Sequence, residues 1–469
     1  MRARAKNEMN TRADPPLVEI TIPAAGGNRE PCVLYKVPEQ IYSLNPSEHE
    51  PSYVSIGPYH YRSGGLQVIR SNQWKRECVR HIESRLESQG RDPVLLDNRM
   101  KKIEDNVKRY YDIRSFRFAK IGNEDDPISY DSKAFCEMMK TDGCFILYTL
   151  GGLTVDDDSS ESSSPSRSWN LWDTLFWWHD IVLYGNQIPF IVVRTIYQHI
   201  HQGHDDEADS DDDGDGDVLL WEIGQRIEST LRRYTMRTVT NPGNADHILH
   251  LCHELLKPTH TTTTGQQDQD GGSNVNNVGP WRRATEYHEL LVKFKKRDLG
   301  DDDAQCITDI RVRGRVMEIP QLELFPDTWR LLRNLMLLEQ MNNHLRDHVT
   351  AYCYFIWKLA STSEDVSLLV KKGIIVHGEA TDKMAAKNLN MLCKDIINTN
   401  GDYLTPERHA LETHCRSLLW RLGAKVFRYK DWKNPLILLG TFVAIVLLTS
   451  SILQVVYTML PKIKHHIQN

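Results

Sequence analysis

Five acidic side chains near the middle of the chain stand at the spacing of a calcium-binding loop. They are Asp211, Asp213, Asp215, Asp217 and Glu222. Together with Gly216 they match the pattern D-x-D-x-D-G-x5-E, in which a tight turn at the glycine gathers carboxylates around one cation. The segment before them is a poor helix former and no second calcium loop is visible. Two interpretations stay open: a calcium site, or a solvated acidic loop that matches the pattern by chance.

Three histidines at helical spacing raise the question of a zinc site. His247, His250 and His253 lie within two turns of a predicted helix, where three imidazoles can converge on one ion. At about 100° per residue, however, the apolar side chains between them gather on the other side of that helix. We therefore expect the three histidines to line a solvated face, and no metal is predicted.

The other motifs that would indicate catalysis are absent from the sequence. His344 and His348 have the i, i+4 spacing of a zinc protease, but Leu345 stands where the motif H-E-x-x-H needs Glu. The chain contains no phosphate-binding glycine loop, no dinucleotide fingerprint and no nucleophile elbow. We expect a protein that is not an enzyme and that carries no cofactor.

The elements that position these residues are predicted to be mainly α-helical. Amphipathic stripes at helical spacing run through most of the chain, and a short hairpin is predicted at 307–319 around Gly314. Val18, Ile20 and Ile22 alternate as in a strand. The predicted helices include 74–86, 100–110, 131–150, 170–183, 187–201, 219–234, 245–256, 284–297, 328–360, 364–372, 382–398 and 406–430.

Three polar, low-complexity stretches interrupt the helical pattern. They lie at 156–168, 204–216 and 259–280, and each lacks the apolar residues that would offset the entropy of ordering it. Because they separate helices whose apolar faces need each other, we expect one discontinuous helical domain over 31–430 with three loop insertions. Residues 1–30 are predicted to be a flexible N-terminus.

A single apolar segment near the C-terminus is predicted to be a transmembrane helix. Residues 435–460 contain no charged side chain and no histidine, and are long enough to cross a hydrocarbon core of roughly 30 Å; the alternative is a buried core helix. Five Lys or Arg residues precede it between 421 and 433, against two in the tail at 461–469. This imbalance predicts a cytosolic N-terminal domain. The membrane is expected to be the plasma membrane or an endomembrane.

Charge and cysteine usage agree with a folded domain on the cytosolic side. The net charge is −6, and 205–217 holds nine acidic and no basic residues, so the remainder sums to +3 and indicates no nucleic acid partner. Nine cysteines without a Cys-x-x-Cys pair are typical of reduced thiols, and no N-glycosylation acceptor occurs.

Several segments together resemble one plant-specific family, the domain of unknown function 247 family. The resemblance covers about 34–460. It rests on YVSIGPYHY (53–61), TDGCFILYTL (141–150), DIVLYGNQIPFIVV (180–193), IPQLELFPDTWRLLRNLMLLEQ (319–340) and EDVSLLVKKGIIVHG (364–378). Two departures stand out: Gly185 replaces a Glu that is usual before Asn-Gln-Ile-Pro, and Leu290 and Leu291 replace a pair of small residues.

The polar residues within these motifs have two readings. Tyr59, His60, Asp142, Asn186 and Gln187 form either a structural core or a ligand site, because buried polar side chains usually satisfy structural hydrogen bonds. The family has no established activity, and members in grasses are associated with self-incompatibility. The resemblance therefore implies signalling or recognition at a membrane through unidentified protein partners. The alternative is a membrane-bound enzyme or a sensor of a small ligand or calcium.

Overall fold

The structure, a computed structural model, describes most of the chain in several ranges. They are residues 30–43, 45–61, 66–112, 131–151, 177–201, 214–239, 245–259, 281–300, 304–394, 403–416, 439–440 and 442–455. Within them the fold is mainly α-helical with a few short strands, as the periodicity predicts. The predicted strand around Ile20 and nearly all of the predicted flexible N-terminus lie outside these residues. So do the first insertion and almost all of the third.

The helices of the first half are amphipathic or fully enclosed. Asp131 precedes α4 (Ser132–Leu150), close to the predicted start, and accepts hydrogen bonds from the N–H groups of Lys133 and Ala134. Gly143 lets α4 and α5 (Phe190–His201) approach closely, since an added Cβ would lie 2.5 Å from Ile196 Cδ1. These helices are α1 Glu39–Tyr42, α2 Leu66–Ser88, α3 Val94–Lys108, α4 Ser132–Leu150, α5 Phe190–His201 and α6 Gly214–Leu231.

The second half mixes helices with two small sheets. Strand β3 pairs in parallel with β1 and antiparallel with β2, and the predicted hairpin turns at Gly314 with φ of 60°. Strands β4 and β5 pair in parallel. The elements are α7 Ile248–Leu255, α8 Ala284–Glu289, β1 Lys293–Arg297, β2 Arg311–Arg313, β3 Val316–Pro320, β4 Leu322–Leu324, α9 Pro326–Met341, α10 His348–Leu359, α11 Ser363–Lys371, β5 Ile375–His377, α12 Asp382–Leu392 and α13 Thr405–Arg416.

Two predicted helices are wrong in part. The helix expected over 284–297 ends at Glu289, and β1 replaces its second half after Leu291, which has φ of 60°. The helix expected over 328–360 is two helices separated at 342–347. Asn342 ends the first of them and accepts a hydrogen bond at 2.8 Å from the N–H of Val33. That contact spans 309 residues, so local periodicity could not indicate it.

One hydrophobic cluster joins elements from both ends of the described chain. Its members run from Cys32 to Cys415 and include side chains from α3, α5, α9 and α12. This cluster includes side chains from strand β1, from the start of α8 and from the N-terminal segment, although insertions separate these elements in sequence. All nine cysteines are free thiols, consistent with the predicted reduced state.

The predicted transmembrane segment is described only in its middle. Residues 439–440 and 442–455 are helical, and all of these side chains are exposed. Residues 435–438, 441, 456–460 and the predicted tail lie outside the described part. Among the described residues, no helix combines the length and apolar character needed to span a bilayer.

Candidate functional site

The segment 52–60, which is irregular up to Gly57 and ends in a short 3₁₀-helix at Pro58–His60, is held by buried polar side chains from elsewhere in the fold. Asp180, which is 0 % exposed, accepts hydrogen bonds from the N–H groups of Ser52 at 3.0 Å, Tyr53 at 2.6 Å and Val54 at 2.8 Å. Arg330 Nη1 lies 3.6 Å from the same carboxylate. Burial raises the pKa of Asp180, and the three N–H donors oppose that shift because they stabilise the ionised form.

The side-chain amide of Asn186 also binds the backbone of the 52–60 segment. Its Oδ1 accepts a hydrogen bond at 2.5 Å from the N–H of Ile56. Its Nδ2 donates to the carbonyl oxygens of Val54 and Asp180, both at 2.9 Å. Both donor hydrogens and the acceptor of the amide are therefore bonded to the backbone of this chain.

Gln187 has the same role one residue further on. Its Nε2 donates to the carbonyl oxygens of Leu183, at 2.9 Å, and Ile181. Its Oε1 accepts a hydrogen bond at 3.0 Å from the N–H of Leu249 in α7. Tyr111 donates its hydroxyl to the backbone oxygen of Gln187 at 2.9 Å. The Asn-Gln pair thus joins the 52–60 segment on one side to α7 on the other.

Asp142 reaches the same segment from α4. Its Oδ1 lies 2.5 Å from Lys75 Nζ, and its Oδ2 accepts a hydrogen bond at 2.8 Å from the N–H of Gly57. Lys75 also donates to the carbonyl oxygen of Ser55. Gly57 has φ of 75°, and a Cβ there would lie 2.4 Å from the backbone oxygen of Gln187, so only glycine fits.

Tyr59 and His60 lie at the end of the segment and are only partly buried. Tyr59 donates its hydroxyl to the carbonyl oxygen of Leu34 at 2.6 Å and accepts from the N–H of Asp112 at 3.2 Å. Burial lowers the pKa of His60 to about 4. A Cβ at Gly185 would lie 3.0 Å from His60 Nε2, so the glycine that departs from the family pattern leaves room for this imidazole.

The five motif residues are therefore brought together around one segment. Asp142, Asn186 and Gln187 have their polar atoms in hydrogen bonds within the chain, an arrangement that favours the structural reading. The ligand-site reading stays a prediction. Lys75 and Asp180 belong to the same arrangement and were not predicted. Asp180 opens a motif that was recognised, whereas nothing in its local sequence distinguishes Lys75 from a surface lysine.

The described half of the calcium pattern does not have the expected turn. The backbone of Asp215, Gly216 and Asp217 is helical from the start of α6 at Gly214, and Glu222 follows on the same helix. The calcium interpretation requires a tight turn at Gly216, which these residues do not form. The second predicted insertion, 204–216, also ends three residues early, because the helix begins at Gly214. Asp211 and Asp213 lie outside the described part of the chain.

The solvated face predicted for His247, His250 and His253 is wrong. All three are 0 % exposed. Helix α7 packs against both α6 and α9, so it has no solvated side. His247 begins the helix, because its Nδ1 accepts a hydrogen bond at 3.2 Å from the N–H of His250. The projection failed because it treated polar side chains as a mark of solvent, although buried polar groups that find partners are common.

His253 meets two residues from other helices. Its Nε2 lies 2.9 Å from Glu339 Oε1 on α9, and His348 Nδ1 at the start of α10 lies 3.8 Å from that same oxygen. Ligand atoms of the three residues all lie within 4.8 Å of one another, and all three residues are buried. Glu339 was not predicted, and no sequence pattern links these three positions.

The two imidazoles of this cluster have opposite pKa shifts. Burial lowers the pKa of His253, but Glu254 and Glu339 outweigh it and raise the value to about 9. Burial, and then the charge on His253, hold the pKa of His348 well below its ordinary value. Hence His348 is the neutral member of the pair.

A separate cavity of about 320 Å³ lies beside α6. Its walls combine indole rings with guanidinium groups and one carboxylate. They include Trp177, Trp178, Arg226, Arg233, Tyr234 and Asp327. Asp327 Oδ1 is 2.7 Å from His179 Nε2, so that carboxylate already has a partner.

Comparison with known proteins supports one family. A family model described as a plant protein of unknown function, domain of unknown function 247, matches residues 34–450. The chain is also 23% identical over 456 residues to a UPF0481 protein of Arabidopsis thaliana, covering 91% of this chain and 86% of that protein. No solved structure shows significant similarity. The chain belongs to the plant domain of unknown function 247 family.

Proposed function

We propose that this protein is a single-pass membrane protein whose cytosolic domain, residues 31–430, recognises another protein. The observation that carries the membrane part is the charge-free helix at 442–455. Its large apolar side chains, among them Phe442, Leu447, Leu448 and Leu453, are between 45 % and 66 % exposed. A run of exposed apolar side chains this long is costly in water and favourable in hydrocarbon.

The flanking charges support the orientation. Arg421, Lys425, Arg428, Lys430 and Lys433 precede the segment, while only Lys462 and Lys464 follow it. Basic residues resist translocation, so the side with more of them stays in the cytosol. The domain would then face the cytosol and the short tail the other side.

Protein recognition is favoured over catalysis by how the polar residues are used. The buried carboxylates and amides around 52–60 hold the fold together and are not aimed at a reacting group. On the surface, Met384 and Met391 on α12 are 47 % and 50 % exposed and lie seven residues apart, which places them on one face. Methionine side chains adapt to the shape of a partner, so this face is the candidate contact surface.

The recognition proposal is tested by crosslinking the full chain in native plant membranes and identifying what co-purifies. We expect a discrete partner that the double variant Met384→Glu/Met391→Glu loses. Lys102→Glu makes the same change in net charge at an exposed position of α3, on a different helix, and is expected to retain the partner. Association of grass relatives with self-incompatibility makes pollen and stigma the first tissues to test. No partner above background, or one that the methionine variant retains, would contradict the proposal.

A second candidate is a sensor of a small anionic ligand, favoured by the cavity beside α6. Its volume is within the range of ligand pockets, and it combines two indole rings with Arg226 and Arg233. A panel of small carboxylates and phosphates would be screened by the shift in thermal midpoint of the full chain. We expect a stabilising anion whose effect Arg233→Gln abolishes; no shift across the panel would exclude this candidate.

A further inference from the structure

We propose that His253, Glu339 and His348 form a buried binding site for one divalent transition-metal ion of the zinc class. Two imidazole nitrogens and one carboxylate oxygen are ligands that zinc accepts. The three residues come from α7, α9 and α10, so the ion would join three helices. This proposal is independent of the membrane anchor and of the protein partner.

The spacing of the ligand atoms suits a small ion. In a tetrahedral zinc site with bonds of about 2.0–2.1 Å, neighbouring ligand atoms lie roughly 3.3 Å apart. The observed separations from Glu339 Oε1 are 2.9 Å to His253 Nε2 and 3.8 Å to His348 Nδ1. Shifts of about half an ångström in the two imidazoles would bring both distances to roughly 3.3 Å. His253 Nε2 shares its proton with Glu339 in the metal-free protein, so zinc would displace this proton, which is released to solvent on binding.

The nitrogen of His348 that faces the cluster, Nδ1, is unprotonated, as a metal ligand must be. His348 Nε2 lies 3.2 Å from the backbone oxygen of His253, and this contact requires the proton on Nε2. Nδ1 is then an unprotonated nitrogen, and among the described residues it has no hydrogen-bond partner although His348 is only 2 % exposed. A buried lone pair without a partner is unfavourable, and a metal ion would satisfy it.

The surroundings orient the ligands in the manner of a metal site. Ligating histidines usually direct their other nitrogen at a carbonyl or carboxylate oxygen. His348 directs Nε2 at the oxygen of His253, and His253 places Nδ1 3.8 Å from Glu254 Oε1. The N–H groups of Val349, at 2.8 Å, and Thr350, at 2.7 Å, hold the Glu339 carboxylate in place.

A backbone oxygen offers a fourth ligand. The carbonyl oxygen of Arg346 lies 3.1 Å from His253 Nε2, on the loop between α9 and α10. None of the three side chains is more than 2 % exposed, so no position is open to a substrate from solvent. A closed site of this kind is structural: it would stabilise the α9–α10 corner that the sequence did not predict.

The test uses the full chain without a histidine tag, purified in detergent and stripped of metal. We expect one Zn²⁺ or Co²⁺ bound per chain, a rise in thermal midpoint on adding either ion, and visible absorption typical of four-coordinate Co²⁺. His348→Gln should lose the ion and the absorption. His344→Gln changes a histidine in the loop that precedes His348 but outside the cluster, and it should retain the ion and the absorption.

A third variant keeps the test decisive if His348→Gln does not fold. His348→Cys replaces the imidazole with a thiolate ligand, so it should still bind Co²⁺ with an absorption spectrum changed by sulfur. The proposal is overturned if the folded wild-type chain takes up no stoichiometric metal, or if His348→Gln binds as much as wild type. The cluster would then be a buried ion pair between His253 and Glu339 only.

Discussion

Lys75 and Asp142 form an ion pair, with 2.5 Å between Nζ and Oδ1, in a place where their side chains are 4 % and 3 % exposed. Lys75 comes from α2 and Asp142 from α4, and both also bond to the backbone of the 52–60 segment. A charge buried this deeply is tolerated because its partner and hydrogen bonds offset the loss of water. The pair therefore fixes the position of a segment that carries one of the family motifs.

Replacing one member of this pair should lower the free energy of unfolding more than replacing both members. Lys75→Met is expected to lower the free energy of unfolding by about 3–5 kcal/mol, because it leaves a carboxylate buried without a cation. Adding Asp142→Asn should recover part of that loss. Denaturant unfolding of the full chain in detergent measures each value. Lys101→Met, at a lysine 61 % exposed and paired with Glu104, is the control and should cost under about 1 kcal/mol. If the double variant loses the sum of the two single losses in free energy of unfolding, Lys75 and Asp142 do not stabilise each other and this prediction is wrong.

Asn186→Ala should destabilise the fold without altering its surface. The substitution removes three hydrogen bonds and leaves the N–H of Ile56 and the carbonyl oxygen of Val54 buried without these partners, while the carbonyl oxygen of Asp180 keeps the N–H of Leu183. We expect a loss of about 2–4 kcal/mol in the free energy of unfolding. Gln73→Ala, at an exposed position of α2 with one long hydrogen bond, should change it by less than about 0.5 kcal/mol. Equal effects of the two substitutions would argue against the proposed role of the amide.

Leu291→Gly should stabilise the protein. Leu291 has φ of 60°, a left-handed conformation that costs a residue with a Cβ roughly 1 kcal/mol and glycine almost nothing. We expect a gain near that value, less the small amount of apolar burial that the side chain contributes. Leu291→Ala removes the side chain but keeps the Cβ, so it should give no gain. A rise in the thermal midpoint for both variants would show that the backbone is not the cause.

Acid should destabilise the fold partly through His199. Burial, followed by the charges of Arg99 and Arg91, lowers the pKa of this imidazole to about 4, and the residue is 5 % exposed. Between pH 6.5 and about 4 the unfolded chain binds a proton that the folded chain does not, so stability falls as pH falls. The full effect is on the order of 3 kcal/mol.

The variant His199→Gln isolates this contribution. It should reduce the slope of the free energy of unfolding against pH between pH 6.5 and 4, by the part that His199 contributes. His201→Gln changes an exposed histidine on the same helix and should leave the wild-type slope unchanged. A slope that is the same in wild type and His199→Gln would show that His199 does not titrate in this window.

The local pattern of the sequence predicts those parts of the fold that local interactions decide. Helix α4 lies where the sequence predicts a helix, at 131–150, and the predicted hairpin turns at Gly314. The break between α9 and α10 could not be predicted, since it depends on Asn342 meeting Val33 across most of the chain. The sequence predicts a helix where strand β1 lies, because the four charged residues of this strand do not alternate with apolar residues as a half-buried strand would.

The candidate sites show the same limit. The motif residues around Asn186 were identified because a family resemblance marks them, while Lys75 was missed because its environment is created by folding. The helical projection of the sequence places His253 on a solvated face, whereas the residue is buried. Its true neighbours, Glu339 and His348, belong to helices far away in sequence. Proximity of this kind is a property of the tertiary structure and leaves no periodic pattern.

The most direct test of the central proposal asks whether residues 435–460 anchor the chain in a bilayer. The full chain, tagged at both termini, would be expressed in plant cells. One portion of the membranes would be extracted with alkaline carbonate, and a second, intact portion would be treated with protease. We expect the wild type to stay in the membrane pellet with a protected C-terminus and a digestible N-terminal domain. Leu447→Arg/Leu448→Arg should release it, because each arginine at the centre of a span costs about 2.5–3.5 kcal/mol. His465→Arg/His466→Arg adds the same charge beyond the span and should stay in the pellet. Extraction of the wild type by carbonate, or protection of the N-terminal domain, would contradict the account.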